Sequence, residues 1–142
     1  MFDRPTLTEL LEAAAGHLSA QVLPAVRSDP RLYFQTLVAV NVLTIVEREL
    51  KQGTDALRRA WADLNTLDGD TAPCPEDPAA ARKAFDRRVA DLCARIRAGE
   101  HDGEDHDSPL YHFLLAQTIR ALEISNPRLL GAIASETLTN EH

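Results

Sequence analysis

Cysteine is nearly absent from this 142-residue chain: Cys74 and Cys93 are the only two, too few for the disulfide framework that holds small secreted domains together. Reduced thiols are the expectation. Lysine is scarcer than the basic count suggests, since 15 basic residues include only Lys51 and Lys83 and are outnumbered by 22 acidic ones. The resulting net charge of −7 and isoelectric point near 5.1 disfavour a general binder of nucleic acid, which needs a net basic face. Several catalytic signatures are also missing. There is no glycine-rich phosphate loop, no nucleophile elbow, and no pair of histidines at metal-binding helical spacing, so catalysis by this chain alone is not expected. The start, Met1-Phe2-Asp3-Arg4-Pro5, lacks the basic residues, apolar stretch and cleavage site of a secretory signal, which points to the cytoplasm. The longest nearly unbroken apolar stretch, Leu37 to Val46, is interrupted by Asn41 and Thr44 and falls well short of a bilayer-spanning length, so no membrane is implied.

What remains is a globular composition, 44% apolar and 26% charged, of a length that suits one domain over residues 1–142. Period-2 alternation bounded by hairpin turns is absent, and the start and stop signals are helical. Thr6 and Glu9 have capping-box spacing, and Leu7, Leu10, Leu11, Ala14, Leu18 and Val22 form an apolar stripe ending near Leu23-Pro24. Asp29-Pro30 opens a second helix, which Gly53 is expected to close. From Leu32 to Val46 that helix is apolar on nearly every side, as in a central helix or one covered by a partner. A third helix runs from about Thr54 to Leu67 with Leu57, Trp61 and Leu64 on one face, Trp61 being its anchor. After a loop from Asp68 to Asp77, Pro78 opens a fourth helix with the stripe Phe85, Val89, Leu92 and Ile96, stopped at Gly99. Ser108-Pro109 opens a fifth that ends at Asn126-Pro127, and a short last helix runs to about Leu138. The fold expected is all-α: an antiparallel bundle of five to six helices with the second at its centre.

Few residues in this frame suggest chemistry. The loop His101-Asp102-Gly103-Glu104-Asp105-His106-Asp107 collects nitrogen and oxygen ligands but follows neither zinc nor EF-hand spacing, so a solvated connection is expected there and no metal. Cys74 lies between Pro73 and Pro75 without a neighbouring base, and Cys93 falls beside an apolar stripe; neither reads as a nucleophile. Asn41 interrupts the apolar second helix and shares a face with Phe34, Leu37 and Arg48. It is expected to be buried, either bonding a neighbouring helix to fix register or meeting a partner. Glu47 and Arg48 mark the point where that helix turns polar, as a solvated end, an ion pair with another helix, or a contact surface. Glu47 also stands four residues before Lys51, a helix-supporting pair.

These residues resemble the DUF6285 family, small bacterial helical proteins encoded beside phosphotransferase-like kinases and acyl-CoA dehydrogenases. The resemblance rests on Arg4-Pro5-Thr6 with Glu9-Leu10-Leu11, on Val22-Leu23-Pro24, and on Asn41 followed by Ile45-Val46-Glu47-Arg48-Glu49-Leu50. Arg95-Ile96-Arg97-Ala98-Gly99-Glu100 and Ser125-Asn126-Pro127-Arg128 agree as well. It implies a non-catalytic accessory subunit of an aminoglycoside-phosphotransferase-like kinase that acts on 4-hydroxyacyl-CoA in short-chain acid catabolism, with no cofactor of its own. A helper of this kind needs a surface rather than an active site. Asn41, Glu47, Arg48, Asn126 and Arg128 are expected to lie near one end of the bundle and shape the contact. The sequence departs from the family pattern in the loop from Asp68 to Asp77, in the acidic histidine loop and after Leu130. A different expectation is a homodimer holding a small acyl or CoA-like ligand between helices, with Arg48, Arg120 and Arg128 facing its phosphates.

Overall fold

The computed structural model describes residues 4–140, with side chains described through Ile133. The protein is all-α: α1 (Leu7–His17), a π-helical turn (Leu18–Val22), α2 (Leu23–Ala25), α3 (Pro30–Asp68), α4 (Pro78–Arg97), α5 (Pro109–Ser125) and α6 (Pro127–Asn140), with no strand among the described residues. By its internal contacts the chain divides into two compact units, Met1–Gly53 and Thr54–His142. α3 belongs to both.

Most helix ends are where the capping chemistry puts them. The Thr6 side chain accepts from Glu9 N while the Glu9 carboxylate accepts from Thr6 N, a complete capping box. Asp29, Asp77 and Ser108 each accept from backbone N–H groups of the first turn, and each is followed by proline. Gly69 and Gly99 take positive φ values of 65° and 85°. After each, the next N–H reaches back five residues, from Asp70 to Asn65 O and from Glu100 to Arg95 O, which is the Schellman closure.

Gly53 corrects the sequence reading. It does not end a helix; α3 continues through it for 39 residues. No proline follows, and Leu57, Ala60, Trp61 and Leu64 behind it are all buried, so packing outweighs the cost of about 1 kcal/mol for glycine in a helix interior. The position is itself buried and narrow: a Cβ would stand 2.8 Å from Glu49 Oε1.

The core lies in the second unit. Leu57, Ala60, Trp61 and Leu64 of α3 meet Ala81, Phe85 and Leu92 of α4 and Leu110 and Phe113 of α5. Val89, Ile96 and Cys74 pack against this cluster. α5 lies antiparallel to the end of α3: Pro109 and Phe113 share a cleft with Thr66 and Leu67, while Arg120 reaches Asp63 and stands near Arg59.

A polar seam ties this core to the 69–77 connection. The Trp61 indole Nε1–H donates to Ala72 O at 2.7 Å, and Asn65 Nδ2 donates to the same carbonyl at 2.9 Å, so the connection folds back over α3. Arg88 covers the Trp61 ring with its guanidinium 4.8 Å from the centroid. It also donates to Asn65 Oδ1 at 2.6 Å and to Asp68 Oδ2 at 3.0 Å, while Arg95 takes Asp68 Oδ1 at 2.6 Å. Burial pushes the Asp68 carboxyl up, but the hydrogen bonds and charges of Arg95 and Arg88 together outweigh it and hold the group below the ordinary aspartate value.

Arg88→Ala removes the cover of Trp61 and leaves Asn65 and Asp68 short of a donor, so it is expected to cost about 2–3 kcal/mol in urea denaturation. Asp68→Asn is expected to cost about 1 kcal/mol at pH 7, a figure reduced for the solvent that reaches the pair. The folded carboxyl titrates below the unfolded one, so its contribution is full above the unfolded value of 3.8 and disappears as pH falls through the depressed folded value. The two proteins should therefore converge in stability once the pH falls below that depressed value, and a gap that persists in acid would contradict the pairing.

Candidate partner-binding surface

The first unit is a helical hairpin with almost no interior. Pro24 has no N–H to donate, and immediately before it the helix widens into the π turn, where Leu23 N–H reaches Leu18 O. Val26 to Asp29 then turn the chain, with Asp29 N–H donating to Val26 O at 2.9 Å, and Asp29 caps α3. The far end is closed by Lys51, whose Nζ donates at 2.6 Å both to Glu12 of α1 and to Glu47 of its own helix. The hydrogen bond to Glu12, with that to Glu47, pushes the Lys51 ammonium up to about 12, and the same bond lowers the Glu12 carboxyl.

Tyr33, Thr36, Val40, Leu43, Thr44 and Glu47 of α3 are half-buried, at the three- and four-residue steps of one helix face. Phe34, Leu37, Val38, Val42, Val46 and Leu50 are exposed, Phe34 at 66% and Val42 at 51%. Leu7 and Leu10 of α1 are exposed as well. The expectation of a central second helix is thereby corrected for its outer side: Phe34, Leu37, Val38, Val42, Val46 and Leu50 are not covered by the described residues of its own unit. The apolar run exceeds what one short antiparallel neighbour can bury, because a helix apolar all round needs neighbours on several sides.

The residues expected to shape a contact divide between the two units. Asn41, Glu47 and Arg48 lie on α3 in the first; Asn126 and Arg128 lie at the α5–α6 junction in the second. Asn41 is exposed, not buried as the sequence suggested, and its near neighbours on the helix surface, Leu37, Val38 and Val42, are exposed too. With Gln35, it is one of two exposed amides in an open apolar field. The half-buried Glu47 gives its carboxylate to Lys51, as the four-residue spacing indicated, and Arg48 is half-buried one position further on. Asn126 ends α5 by donating its N–H to Leu122 O at 2.8 Å, and its carbonyl accepts from Leu129 N at 3.1 Å. Arg128 is exposed on the first turn of α6.

Sequence spacing missed Glu12, since a tie across 39 residues leaves no local signal. It also missed Asn65, Asp68 and Arg88, because a polar residue bordering an apolar stripe looks the same in sequence whether it bonds water or another helix. Cys74 and Cys93 are both free thiols. In the acidic loop, His101 Nδ1 stands 2.7 Å from Glu104 Oε1 and His106 is largely exposed. No three His, Cys, Asp or Glu side chains among the described residues converge as metal ligands, and no helix among those residues is long and apolar enough to cross a membrane.

A family model described as a domain of unknown function, DUF6285, matches residues 24–129. The chain belongs to the DUF6285 family. The match takes in all of α3, α4 and α5, with Asn41, Glu47, Arg48, Asn126 and Arg128. It begins after α1 and stops at the start of α6, so the capping-box motif and the tail after Leu130 fall outside the family segment. No curated protein and no solved structure matches the chain.

Lys51→Met removes the cation that both Glu12 and Glu47 share. Amide exchange in residues 7–17 should speed up in this variant while exchange in residues 78–97 keeps its native rate; unchanged protection of α1 would contradict the role given to Lys51.

Proposed function

We propose that this DUF6285 protein is a non-catalytic accessory subunit, which docks a partner through the exposed apolar face of α3. The partner proposed is an aminoglycoside-phosphotransferase-like kinase acting on 4-hydroxyacyl-CoA in short-chain acid catabolism. One observation carries the docking role: Phe34, Leu37, Val38 and Val42 stand exposed around Asn41 on a single ordered helix. Large contiguous apolar patches on a monomer mark interaction surfaces, and an amide within one, such as Asn41, supplies a directional bond that helps fix register. The kinase and its substrate class come from the resemblance of the sequence to the family, not from this geometry. The chemistry suits such a division of labour, because phosphoryl transfer is carried by the kinase's own lysine, metal carboxylates and base, and a helper need only favour the active arrangement.

Self-association through the same face, with two copies covering each other, is the second reading. The same exposed residues favour it, and one experiment separates the two.

Co-expression with the neighbouring kinase, size exclusion, and a 4-hydroxyacyl-CoA phosphorylation assay should show co-elution and activity only in the mixture. Leu37→Glu and Val42→Glu place a charge on exposed positions, so the helical circular dichroism should stay native while co-elution is lost and the partner weakens by at least about a hundredfold. Separate elution with full kinase activity alone would sink the accessory role. Elution of this chain as a dimer that the same substitutions disrupt would install self-association in its place.

A further inference from the structure

The second unit has an open face of its own, on α5, that the docking role does not use. Of the 17 residues of α5 only Arg120 and Glu123 carry a fixed charge, and Arg120 is taken by Asp63. Leu110 and Phe113 enter the core. Tyr111, Leu114 and Leu115, 43–45% exposed, stand on another face with the exposed Thr118 and Ser125 and the half-buried Leu122. These six recur at three- and four-residue steps and form one stripe without a charge. A helix that is apolar outside as well as inside needs a second neighbour, and the described residues of this unit do not supply it. The hydroxyls in the stripe are already matched: Thr118 Oγ1 donates to Leu114 O at 2.9 Å and Ser125 Oγ to Ala121 O at 2.7 Å. The face can therefore leave water without stranding a donor.

The stripe is complementary to itself. Its positions are symmetric about Thr118, with bulky side chains in the first half and smaller ones in the second. Laid antiparallel on a second copy, with a two-fold axis at Thr118, Tyr111 faces Ser125 of the copy, Leu115 faces Ala121 and Leu114 faces Leu122, so that bulk meets space. Antiparallel helices bring like edges together. His112 and Glu123 lie on one edge of the stripe at nearly equal distances from Thr118, so each imidazole falls beside a carboxylate of the copy and no like charges meet. An unrelated partner has no reason to match a face bulky at one end, small at the other and paired in this way along its edge. The area agrees as well: two copies would bury on the order of 1,000 Å², where specific interfaces begin, around the charge-free centre usual between like chains.

We propose that the protein is an antiparallel homodimer through the outer face of α5, with the two-fold axis at Thr118. This surface lies wholly within Thr54–His142 and uses none of the docking residues of α3, so it stands or falls independently of the partner assay and of self-association through α3.

The test is sedimentation velocity on the full chain, which should form a dimer with a dissociation constant in the micromolar range. Leu115→Glu should weaken the dimer at least about a hundredfold with native circular dichroism, while Leu37→Glu leaves it unchanged. His112→Glu should weaken it about fivefold, and adding Glu123→Lys should restore it. Oxidation should cross-link Thr118→Cys into a dimer but leave Tyr111→Cys at the wild-type background, since antiparallel pairing separates the two 111 positions by about 20 Å. If Leu115→Glu unfolds the chain, the charge exchange and the cross-links still decide. A monomer at every concentration up to about 1 mM, a dimer lost in Leu37→Glu but kept in Leu115→Glu, or equal cross-linking at 111 and 118 would overturn the proposal.

Discussion

The core of this protein depends on where one guanidinium sits. Arg88 rests on the face of Trp61, bonds Asn65 and reaches Asp68, and through those contacts α4 is registered against α3. Trp61 and Asn65 in turn hold the Ala72 carbonyl, so the same few side chains that orient α4 also seat the connection leading into it. Apolar burial drives the association of Leu64, Phe85, Leu92 and Phe113 but is indifferent to small rotations of one helix over another. The Arg88 seam supplies the direction that burial lacks. Arg95 completes it by occupying the second oxygen of Asp68, which spares that half-buried carboxylate an unmatched lone pair.

The first unit is built on a different balance. Apart from Gly53, none of its described residues reaches full burial. Its hairpin is held by the turn at Asp29, by half-buried side chains along one face, and by Lys51 between two carboxylates at its open end. The clamp is exposed to solvent, and exposed ion pairs contribute little stability on their own. A helix that stays apolar on its outer side under such weak internal support gains most when another surface covers it. This is the physical basis for proposing the face around Asn41 as a docking surface.

The sequence made the fold class and most helix ends legible, because proline, capping side chains and αL glycines act within a turn of where they stand. The stripe Leu57, Trp61, Leu64 and the stripe Phe85, Leu92 predicted the core correctly for the same reason: a helical period is local. Gly53 misled, since glycine can end a helix only where the chain has reason to leave it, and here the buried face continues beyond. Asn41 misled in the opposite way. An amide inside an apolar run looks buried when the run is assumed to be covered, and nothing in the sequence says by what. The ties of Lys51 to Glu12, Arg88 to Asn65 and Arg120 to Asp63 depend on how separate segments meet, so no spacing rule announces them. The family match at residues 24–129 adds membership to this picture and leaves the function to the surfaces themselves.

Hydrogen–deuterium exchange on the chain alone and in the presence of the phosphotransferase-like kinase tests the central claim most directly, because it reads which surface becomes covered. The account predicts slowed exchange along residues 30–50, with residues 78–97 unchanged. Protection confined to α4 and α5, or none anywhere at saturating kinase, would contradict it.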